Sequence, residues 1–391
     1  MGTEFYQFHL NTKILFQPGI SREFGNEISQ LKIKNFLLIC DPFFSQNGTA
    51  DRIQKGMELA GAKIVARFDQ VPPNSELKVV EECVRLAKEK KAEGIVALGG
   101  GSSIDTAKAA NITFSLGGDL VADYSGSQTI AAPLRPLIAI PTTAGTGSEV
   151  TSAAVIYDSA THAKLSFSDD YLRPTLALLD PELTLSMPPK VTAMTGMDAL
   201  THAIESYTSV QANPMSDALA MKAVKLIKNN LLKAVEQGND LEVRSNMLIA
   251  ANLAGIAFDH AMVGVVHAMS HATGGIAGVP HGLANSIYLP FGMEYNLESS
   301  ALRYAGIARR FGIETKGMSP DEAARAAIDY VRKIRQDLKT ACGLPDKLRD
   351  AGVKQDQLES IAQLALDDGT TFYNPREVTL EGLREKVQEA Y

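Results

Sequence analysis

The sequence predicts an α/β domain followed by an all-α domain. The chain has 391 residues, more than the roughly 250 to 300 at which one hydrophobic core stops growing, so two domains are expected. Apolar, β-rich runs alternate with helical patterns up to about residue 180, whereas only helical periodicity follows. We place the boundary at the paired prolines Pro188 and Pro189, which gives domains of residues 1–188 and 189–391.

Continuous apolar runs in the first half predict the strands of a parallel sheet. Such runs suit strands that helices cover on both faces, and their alternation with amphipathic segments indicates βαβ units. The segment 75–90 is one such predicted helix, with Ser75 as its N-cap. TSAAVIYD and AKLSFS, separated by residues 159–162, instead predict a β-hairpin. The predicted strands are NFLLIC before Asp41, KIVARF before Asp69, GIVALGG from Gly94, PLIAIP from Pro136 and TLALLD from Thr175.

The second half is rich in Ala, Leu, Met, Lys and Glu and contains no convincing strand. Its helical segments are each broken by clusters of Gly, Pro, Asn or Asp. We therefore expect this domain to be entirely helical. The clearest predicted helices are residues 192–207, 217–235, 241–260, 319–338 and 355–367.

Composition and charge exclude several classes of function. The net charge is −7 and no basic block is present, so we expect neither a nucleic-acid nor a membrane partner. The cysteines Cys40, Cys83 and Cys342 form no CxxC pair, so neither a disulfide framework nor a thiolate metal site is indicated. The N-terminal residues MGTEFYQFHL lack the features of a signal peptide, and no apolar run approaches the roughly 20 residues that span a bilayer. We expect a cytoplasmic protein.

The run GIVALGGGSSIDTAKAAN predicts an anion-binding loop between a strand and a helix. Three glycines from Gly99 let the backbone approach a phosphate, and the helix that opens with Ser102 and Ser103 offers free N–H groups and a positive dipole end. The strict GxGxxG pattern is not met, because Ile104 occupies the last glycine position. A tight turn with a helix cap is the alternative interpretation.

Two further features accompany this loop. PTTAGTGSEVT, from Pro141 to Thr151, follows another apolar strand and offers hydroxyl groups at the carboxyl end of the sheet, although an ordinary polar turn fits it equally. Asp41 ends the strand NFLLIC, where a carboxylate accepts hydrogen bonds from an adenosine ribose and repels a 2′-phosphate. At about 5 Å and an effective dielectric of about 20 the repulsion is roughly 3 kcal/mol, so NAD is favoured over NADP. A turn initiator before Pro42 is the alternative.

Histidines concentrate in the predicted helical domain. Asp198 and His202 are four residues apart on one predicted helical face, His267 and His271 repeat that spacing, and His281 follows a glycine-rich loop. Carboxylate and imidazole without thiolate suit iron(II) or zinc(II). Spacing alone does not say which of His267 and His271 binds an ion. Histidines with ordinary structural hydrogen bonds are the alternative, and His260 in particular fits the end of a helix.

Four segments together resemble the iron-containing (group III) alcohol dehydrogenase family, and the similarity covers nearly the whole chain. They are GGGSSIDTAKA, PTTAGTGSEVT, GMDALTHAIES and HAMSHATGGIAGVPHGLANSI. The resemblance implies a dehydroquinate-synthase-like architecture, with an N-terminal dinucleotide-binding α/β domain and a C-terminal helical domain. The implied activity is that of a metal-dependent oxidoreductase that interconverts a small primary alcohol or diol and its aldehyde with NAD(H). The resemblance also implies one divalent metal, with iron(II) preferred to zinc(II), and a homo-oligomer.

The resemblance further implies which residues form the sites. The metal ligands would be Asp198, His202, His267 and His281, while His271 would lie near nicotinamide and substrate and help to relay a proton. In the first domain, the glycine loop would bind the pyrophosphate, and other residues would contact the ribose and nicotinamide or line the pocket. The candidate cofactor-binding residues are Asp41, Asn74, Gly99, Gly100, Gly101, Ser102, Ser103, Thr142, Thr143, Thr151, Lys164 and Leu183.

Two other functions fit the same fold. A polyol or polyol-phosphate dehydrogenase or a lyase would use an anionic substrate, but few Lys or Arg residues lie close to the ligand motifs between residues 198 and 296. A non-catalytic nucleotide-binding scaffold would be expected to have lost a metal ligand, and no ligand position departs from the family pattern.

Overall fold

The computed structural model describes residues 5–160 and 163–391, which divide into two compact units. The sheet unit comprises Leu10–Thr143 and Gly147–Thr184 and contains the β-strands. The helical unit comprises Leu185–Tyr391, together with Ala144–Thr146 and the N-terminal residues up to His9. The middle of the PTTAGTGSEVT loop thus groups with the helical unit.

A parallel sheet forms the centre of the sheet unit. Six strands lie in the order β1-β9-β6-β4-β2-β3, and every neighbouring pair is parallel. The central strands are almost completely buried, as continuous apolar runs predict. All five strands predicted from the sequence are present as β2, β3, β4, β6 and β9. The strands are β1 (Lys13–Phe16), β2 (Asn35–Cys40), β3 (Lys63–Phe68), β4 (Gly94–Gly99), β5 (Gly126–Ser127), β6 (Leu137–Pro141), β7 (Ala153–Asp158), β8 (Ala163–Ser168) and β9 (Leu176–Leu179).

Helices cover both faces of this sheet. Alternate side chains of β2 enter two separate apolar clusters: Leu37 packs in the cluster that contains Val80 and Ile104, and Leu38 packs in the cluster that contains Ile28 and Ile53. Burial on both faces is what a doubly covered parallel sheet requires. The helices of the sheet unit are α1 (Gly25–Leu31), α2 (Pro42–Gln46), α3 (Thr49–Leu59), α4 (Leu77–Glu89), α5 (Gly101–Leu116) and α6 (Leu120–Tyr124).

Two local predictions have different outcomes. The Ser75 N-cap is wrong, because α4 begins at Leu77 after Glu76, and the Ser75 hydroxyl instead donates to the Ser102 carbonyl at 2.6 Å. The hairpin is confirmed, since β7 and β8 pair antiparallel and β5 joins β8 as a third strand. Within its predicted turn, Thr161 and His162 lie outside the described residues.

The helical unit contains no strand between residues 185 and 391, all of which the structure describes. The five predicted helices correspond to α7, α8, α9, α13 and α14, and the sequence analysis missed four others. No single described helix has the length and hydropathy of a membrane span; only the bent pair α9 and α10 reaches them in combination. The helices are α7 (Pro189–Thr208), α8 (Pro214–Glu236), α9 (Leu241–Ala261), α10 (Val265–Ala277), α11 (His281–Tyr295), α12 (Leu297–Phe311), α13 (Pro320–Cys342), α14 (Leu358–Leu366) and α15 (Leu380–Ala390).

Candidate nucleotide and metal sites

The carboxyl ends of β2, β4 and β6 lie side by side, because these strands are neighbours in the parallel sheet. Asp41 follows β2, Gly99 ends β4, and Thr142 follows β6. The backbone N–H of Thr142 donates to the Gly99 carbonyl at 3.0 Å, so two of the predicted cofactor segments are in direct contact. Open parallel sheets bind ligands at this edge.

The glycine loop is packed so tightly that side chains are excluded from it. Gly99 has φ +150°, and a Cβ there would lie 2.4 Å from the Ser103 hydroxyl. A Cβ on Gly100 would lie 3.2 Å from the Thr143 methyl group. Gly101 begins α5, so the N–H groups of Ser102 and Ser103 belong to the first turn, where backbone donors lack helical partners. The loop therefore combines close backbone packing with unpaired helix N–H groups, which is the geometry that anion binding at a helix start requires.

Two more candidate residues border this loop. Asn74 has φ +62°, and its N–H donates to the Ser102 hydroxyl at 3.3 Å. Asp41 caps α2 by accepting a hydrogen bond from the Phe43 N–H at 2.9 Å, and its other oxygen faces Gly99. Burial raises the pKa of the Asp41 carboxyl, although backbone hydrogen bonds oppose the rise.

Three candidate cofactor residues lie on other elements of the sheet unit. Thr151 accepts hydrogen bonds from the buried Lys108 ammonium through its hydroxyl at 3.0 Å and its carbonyl at 2.7 Å. Lys164 lies on β8 in register with Tyr157. Leu183 is buried within the apolar cluster on one face of the sheet.

Two buried side chains on α5, Asp105 and Lys108, bind the PTTAGTGSEVT loop. This role was not predicted from the sequence. Asp105 accepts hydrogen bonds from the Ser148 hydroxyl at 2.5 Å and the Val155 N–H at 3.1 Å. Burial raises the pKa of Asp105, and the Lys108 charge opposes that rise. The spacing of three residues in SIDTAK, which places both on one helical face, was the available signal.

The four predicted metal ligands converge in the helical unit. Asp198 and His202 lie one turn apart on α7, His267 lies in the first turn of α10, and His281 is the first residue of α11. One potential ligand atom from each lies within 4.8 Å of those of the other three. Three of these residues are buried, and the His281 side chain is 32% exposed. His281 is therefore the one member of the four whose side chain is partly exposed.

Glycine at position 282 permits the approach of α11 to α7. A Cβ on Gly282 would lie 2.6 Å from the Met194 carbonyl oxygen and 3.3 Å from the Asp198 Cβ. Gly145, from the short loop segment that belongs to this unit, approaches α7 similarly, because a Cβ there would lie 2.6 Å from the Thr195 Cβ. The backbone contact at Gly282 is what brings His281 next to Asp198.

The buried imidazoles are held in their neutral, metal-binding form. Burial lowers the pKa of His202, and the Asp198 and Glu205 carboxylates oppose this shift only in part. Burial lowers the pKa of His267 further below its usual range, with help from nearby histidines. The His202 ring also stacks on Phe258, with ring centroids 4.3 Å apart.

An amide donor lies among the candidate ligand atoms. Asn285 Nδ2, one turn after His281, donates towards Asp198 Oδ1 at 2.7 Å and lies 3.2 Å from His267 Nε2 and 3.1 Å from His281 Nε2. Its buried Oδ1 has no partner among the described residues. Buried acceptors that share a single amide donor are poorly compensated. This set of one carboxylate and three imidazoles fits a divalent cation.

A buried carboxylate, Glu205, supports this cluster from behind and was not predicted. His267 Nδ1 lies 2.5 Å from Glu205 Oε2, and the N–H groups of Val266 and His267 donate to the same carboxylate at 2.7 and 3.3 Å. Burial raises the pKa of Glu205 to about 7, while these backbone donors oppose the rise. The position of Glu205 three residues after His202 was the available signal.

His271 lies beside the cluster and has its own acidic partner. Its Nδ1 is 2.8 Å from Asp368 Oδ2, and its ring stacks on His281 with centroids 5.2 Å apart. Asp368 also accepts hydrogen bonds from the Thr370 N–H and hydroxyl. Although burial raises the pKa of Asp368, the hydrogen bonds from His271 and Thr370 hold it well below its usual range. Asp368 lies 97 residues from His271 in the chain, so no local pattern predicts this pair.

His260 is separate from the four converging residues. Its Nδ1 pairs with the Ile256 carbonyl at 2.8 Å, and its Nε2 lies 2.9 Å from the His9 carbonyl. It lies in the last turn of α9, in agreement with the alternative interpretation of His260 as a residue at the end of a helix.

Models of one protein family match both halves of the chain. The model described as iron-containing alcohol dehydrogenase matches residues 11–181, and the C-terminal model of the Fe-containing alcohol dehydrogenase family matches residues 192–391. The chain belongs to the iron-containing alcohol dehydrogenase family. Members use NAD and a divalent metal to interconvert alcohols and aldehydes, so this chain is an oxidoreductase and the predicted resemblance is confirmed.

Individual relatives are similar over almost their whole length. The NAD-dependent methanol dehydrogenase of Bacillus methanolicus is 38% identical, covering 95% of this chain and 96% of the relative. The choline dehydrogenase of Bacillus subtilis (strain 168) is 39% identical, covering 96% and 92%. The solved structure of a 1,3-propanediol oxidoreductase matches with a TM-score of 0.95 and 36% identity, covering 99% and 100%. The predicted fold class is thereby confirmed.

Proposed function

We propose that this enzyme interconverts a short, uncharged primary alcohol or diol and its aldehyde, with NAD preferred to NADP. A divalent ion would be held by Asp198, His202, His267 and His281, with iron(II) as the preferred ion and zinc(II) as a substitute. The observation that carries the proposal is the convergence of four potential ligand atoms within 4.8 Å. One carboxylate and neutral imidazoles are the ligands that both ions accept.

The charges near the ligand motifs argue against an anionic substrate. Neither ligand segment, residues 196–206 or 265–287, contains a Lys or Arg that could pair with a phosphate or carboxylate. The relatives named for methanol and 1,3-propanediol act on small neutral alcohols. A polyol-phosphate dehydrogenase is therefore less well supported than a simple alcohol dehydrogenase.

The residues of the site would divide the chemistry among them. When bound, the ion supplies a Lewis acid that lowers the pKa of an alcohol hydroxyl, and NAD accepts the hydride. Asp198 is the single anionic donor of the set, so it would leave half of a divalent charge uncompensated and available to the substrate oxygen. His271 receives or returns the proton at Nε2, because Asp368 keeps the other ring nitrogen engaged as a hydrogen-bond donor.

The sheet unit would bind the cofactor at the carboxyl edge of its strands. The backbone from Gly99 to Ser103 holds the pyrophosphate, and Asp41 accepts hydrogen bonds from the adenosine ribose. The remaining candidates are proposed to contact the ribose and nicotinamide or to line the pocket. They are Asn74, Thr142, Thr143, Thr151, Lys164 and Leu183.

The setting of the enzyme is also a proposal. We infer a cytoplasmic homo-oligomer, the oligomer being implied by the family. We expect no nucleic-acid or membrane partner, because the net charge of −7 is accompanied by no basic block. The two domains are proposed to be residues 1–188 and 189–391.

Metal removal and reconstitution test this function. The protein is stripped with a chelator and reloaded anaerobically with iron(II) or zinc(II). Turnover is then followed with NAD⁺ for methanol, ethanol, 1-butanol, 1,2- and 1,3-propanediol, choline and a polyol phosphate, and with NADH for lactaldehyde, with NADP(H) in parallel. We expect metal-restored activity with short neutral substrates and NAD(H). Choline or a polyol phosphate as the preferred substrate would contradict the proposed substrate class, and no turnover with any metal would contradict the enzymatic function.

Two histidine variants test the ligand set. His202→Ala is expected to abolish stoichiometric metal binding and activity, because it removes one of four converging ligands. His260→Ala is the matched control: it removes a histidine of the same unit outside the cluster and is expected to retain metal and turnover. Metal content is measured by atomic emission. Equal metal content in both variants would refute the proposed site.

A further inference from the structure

We propose that Glu205 is a positioning residue for the metal site, which keeps the ring proton of His267 on Nδ1 so that Nε2 is free to bind the ion. The inference rests on the proposed ligand set, because it concerns one member of that set. Carboxylates behind metal-binding histidines are a common means of fixing the tautomer and orientation of the ring.

The contacts of Glu205 tie two helices together at the site. Its carboxylate accepts hydrogen bonds from the Val266 N–H at 2.7 Å and the His267 N–H at 3.3 Å, and it lies 2.5 Å from His267 Nδ1. These backbone groups lie in the first turn of α10, where N–H groups have no helical partner. One side chain on α7 therefore both caps α10 and holds the imidazole that this turn carries.

The lack of a side chain at Gly264 leaves room for the Glu205 carboxylate. A Cβ on Gly264, the residue before α10, would lie 3.3 Å from Glu205 Oε1 and 2.7 Å from Asn374 Oδ1. Asn374 Oδ1 in turn accepts a hydrogen bond from the Val265 N–H at 3.2 Å. Glu205 and Asn374 thus cap the same helix start, but only Glu205 contacts the His267 ring.

The position of the ring proton follows from the donors and acceptors. The ionised Glu205 carboxylate, which accepts hydrogen bonds from the backbone N–H groups of Val266 and His267, has no proton to offer, so His267 Nδ1 is the donor in their contact. A neutral imidazole carries one N–H, which leaves the lone pair on Nε2. An independent contact agrees, because the Asn285 Nδ2 group, which can only donate, lies 3.2 Å from His267 Nε2. The free lone pair therefore faces the ligand cluster.

The sequence places Glu205 on the correct side of α7. Asp198, His202 and Glu205 follow at intervals of four and three residues, so they share one helical face. Helix α7 would supply two ligands directly and orient a third, which lies on α10.

The variant Glu205→Gln replaces one accepting carboxylate oxygen with a donating amide group and leaves the size of the side chain unchanged. If the amide oxygen faces the Val266 N–H, the amide nitrogen faces His267 Nδ1 and favours a proton on Nε2, where it blocks metal binding. If the amide turns over, its nitrogen instead opposes the Val266 N–H. In the first orientation the substitution favours the wrong tautomer, and in the second it sacrifices the contact with Val266.

The test measures metal affinity directly, without relying on turnover. Apo wild-type protein and the variants Glu205→Gln, Glu205→Asp and Asn374→Ala are titrated with Co²⁺ against a chromophoric chelator, and the visible d–d spectrum is recorded. We expect Glu205→Gln to weaken Co²⁺ binding roughly 10- to 100-fold and to alter the spectrum. Glu205→Asp keeps an acceptor of the same charge and is expected to restore part of the affinity.

Asn374→Ala is the matched control for helix capping. It removes the neighbouring cap of α10 without touching His267, so it is expected to lower thermal stability while the wild-type Co²⁺ affinity is retained. Equal losses of affinity in Asn374→Ala and Glu205→Gln would overturn the inference, since general loosening of α10 would explain both. Wild-type affinity in Glu205→Gln would overturn it as well. Failure of the wild-type protein to bind Co²⁺ would instead contradict the proposed metal site.

A measurement on unmodified protein covers the case in which Glu205→Gln does not fold. The protein has only seven histidines, so ring ¹⁵N-labelled, zinc-loaded protein is suitable for long-range ¹H–¹⁵N spectra. We expect a slowly exchanging Nδ1 proton for His267, assigned by its loss in His267→Gln. A proton on Nε2 of His267 in the apo form would overturn the inference.

Discussion

Replacement of Gly282 by alanine tests how the approach of two helices sets the metal site. The new Cβ would lie 2.6 Å from the Met194 carbonyl oxygen, whereas ordinary contact begins at 3.4 Å, so α11 must move from α7 by about 0.8 Å. Overpacking of this kind costs about 1–3 kcal/mol, and the better helix propensity of alanine returns at most about 1 kcal/mol. We expect a net loss of about 1–2 kcal/mol in the free energy of unfolding.

The same displacement should affect the metal more than the fold. His281 immediately precedes Gly282, and metal–ligand distances tolerate only about ±0.2 Å. A shift of about 0.8 Å would therefore misplace one ligand, and we expect Co²⁺ affinity to fall by roughly tenfold or more. Urea titration of the apoprotein measures the first effect, and competition with a chelator measures the second.

Gly275→Ala provides the control on the neighbouring helix. Gly275 lies within α10 and is exposed, and a Cβ there meets only a Leu364 methyl group at 3.9 Å. This variant should be neutral or stabilised by about 0.5–1 kcal/mol, with unchanged metal affinity. If Gly282→Ala matched Gly275→Ala in both measurements, close packing of α11 on α7 would not be what positions His281.

Three further variants test other parts of the structure. Asp368→Asn removes the acceptor that orients His271 and should lower kcat roughly 10- to 100-fold at unchanged metal content; an unchanged kcat would argue against a proton relay through this pair. Arg244→Met removes the buried donor to the Thr192 hydroxyl and to two carbonyls, and a urea titration should show a loss of about 2–4 kcal/mol; wild-type stability would show that these acceptors find other partners. Asp41→Asn should raise the ratio of kcat/KM for NADPH to that for NADH by roughly 10- to 100-fold, and an unchanged ratio would place cofactor selection elsewhere.

The strands were predictable because each is a continuous apolar run that ends in a turn signal, as NFLLIC does before Asp41. Strand β1 was missed because KILF, with only four residues, is too short and too exposed to stand out. Helices α10 and α11 were missed because they are buried on most sides and therefore lack the one-sided periodicity that identifies a surface helix.

The candidate metal site was also predicted only in part. Spacing within one helix placed Asp198 and His202 together, but it could not choose between His267 and His271 without the resemblance. The residues that support the ligands were not predicted, because their partners are distant in sequence. Glu205 meets His267 across 62 residues, and Asp368 meets His271 across 97. The role of these two acidic residues depends on contacts with histidines that exist only in the folded chain.

The origin of the candidate ligands on three separate helices has a consequence for the lifetime of the protein. Asp198 and His202 come from α7, His267 from α10 and His281 from α11, so an ion bound there acts as a noncovalent cross-link that the unfolded chain cannot form. At a free metal concentration of about a thousand times the dissociation constant, such a cross-link adds about 4 kcal/mol to the free energy of unfolding. Metal supply would then govern how long the helical unit survives unfolding and proteolysis, in addition to whether the enzyme turns over.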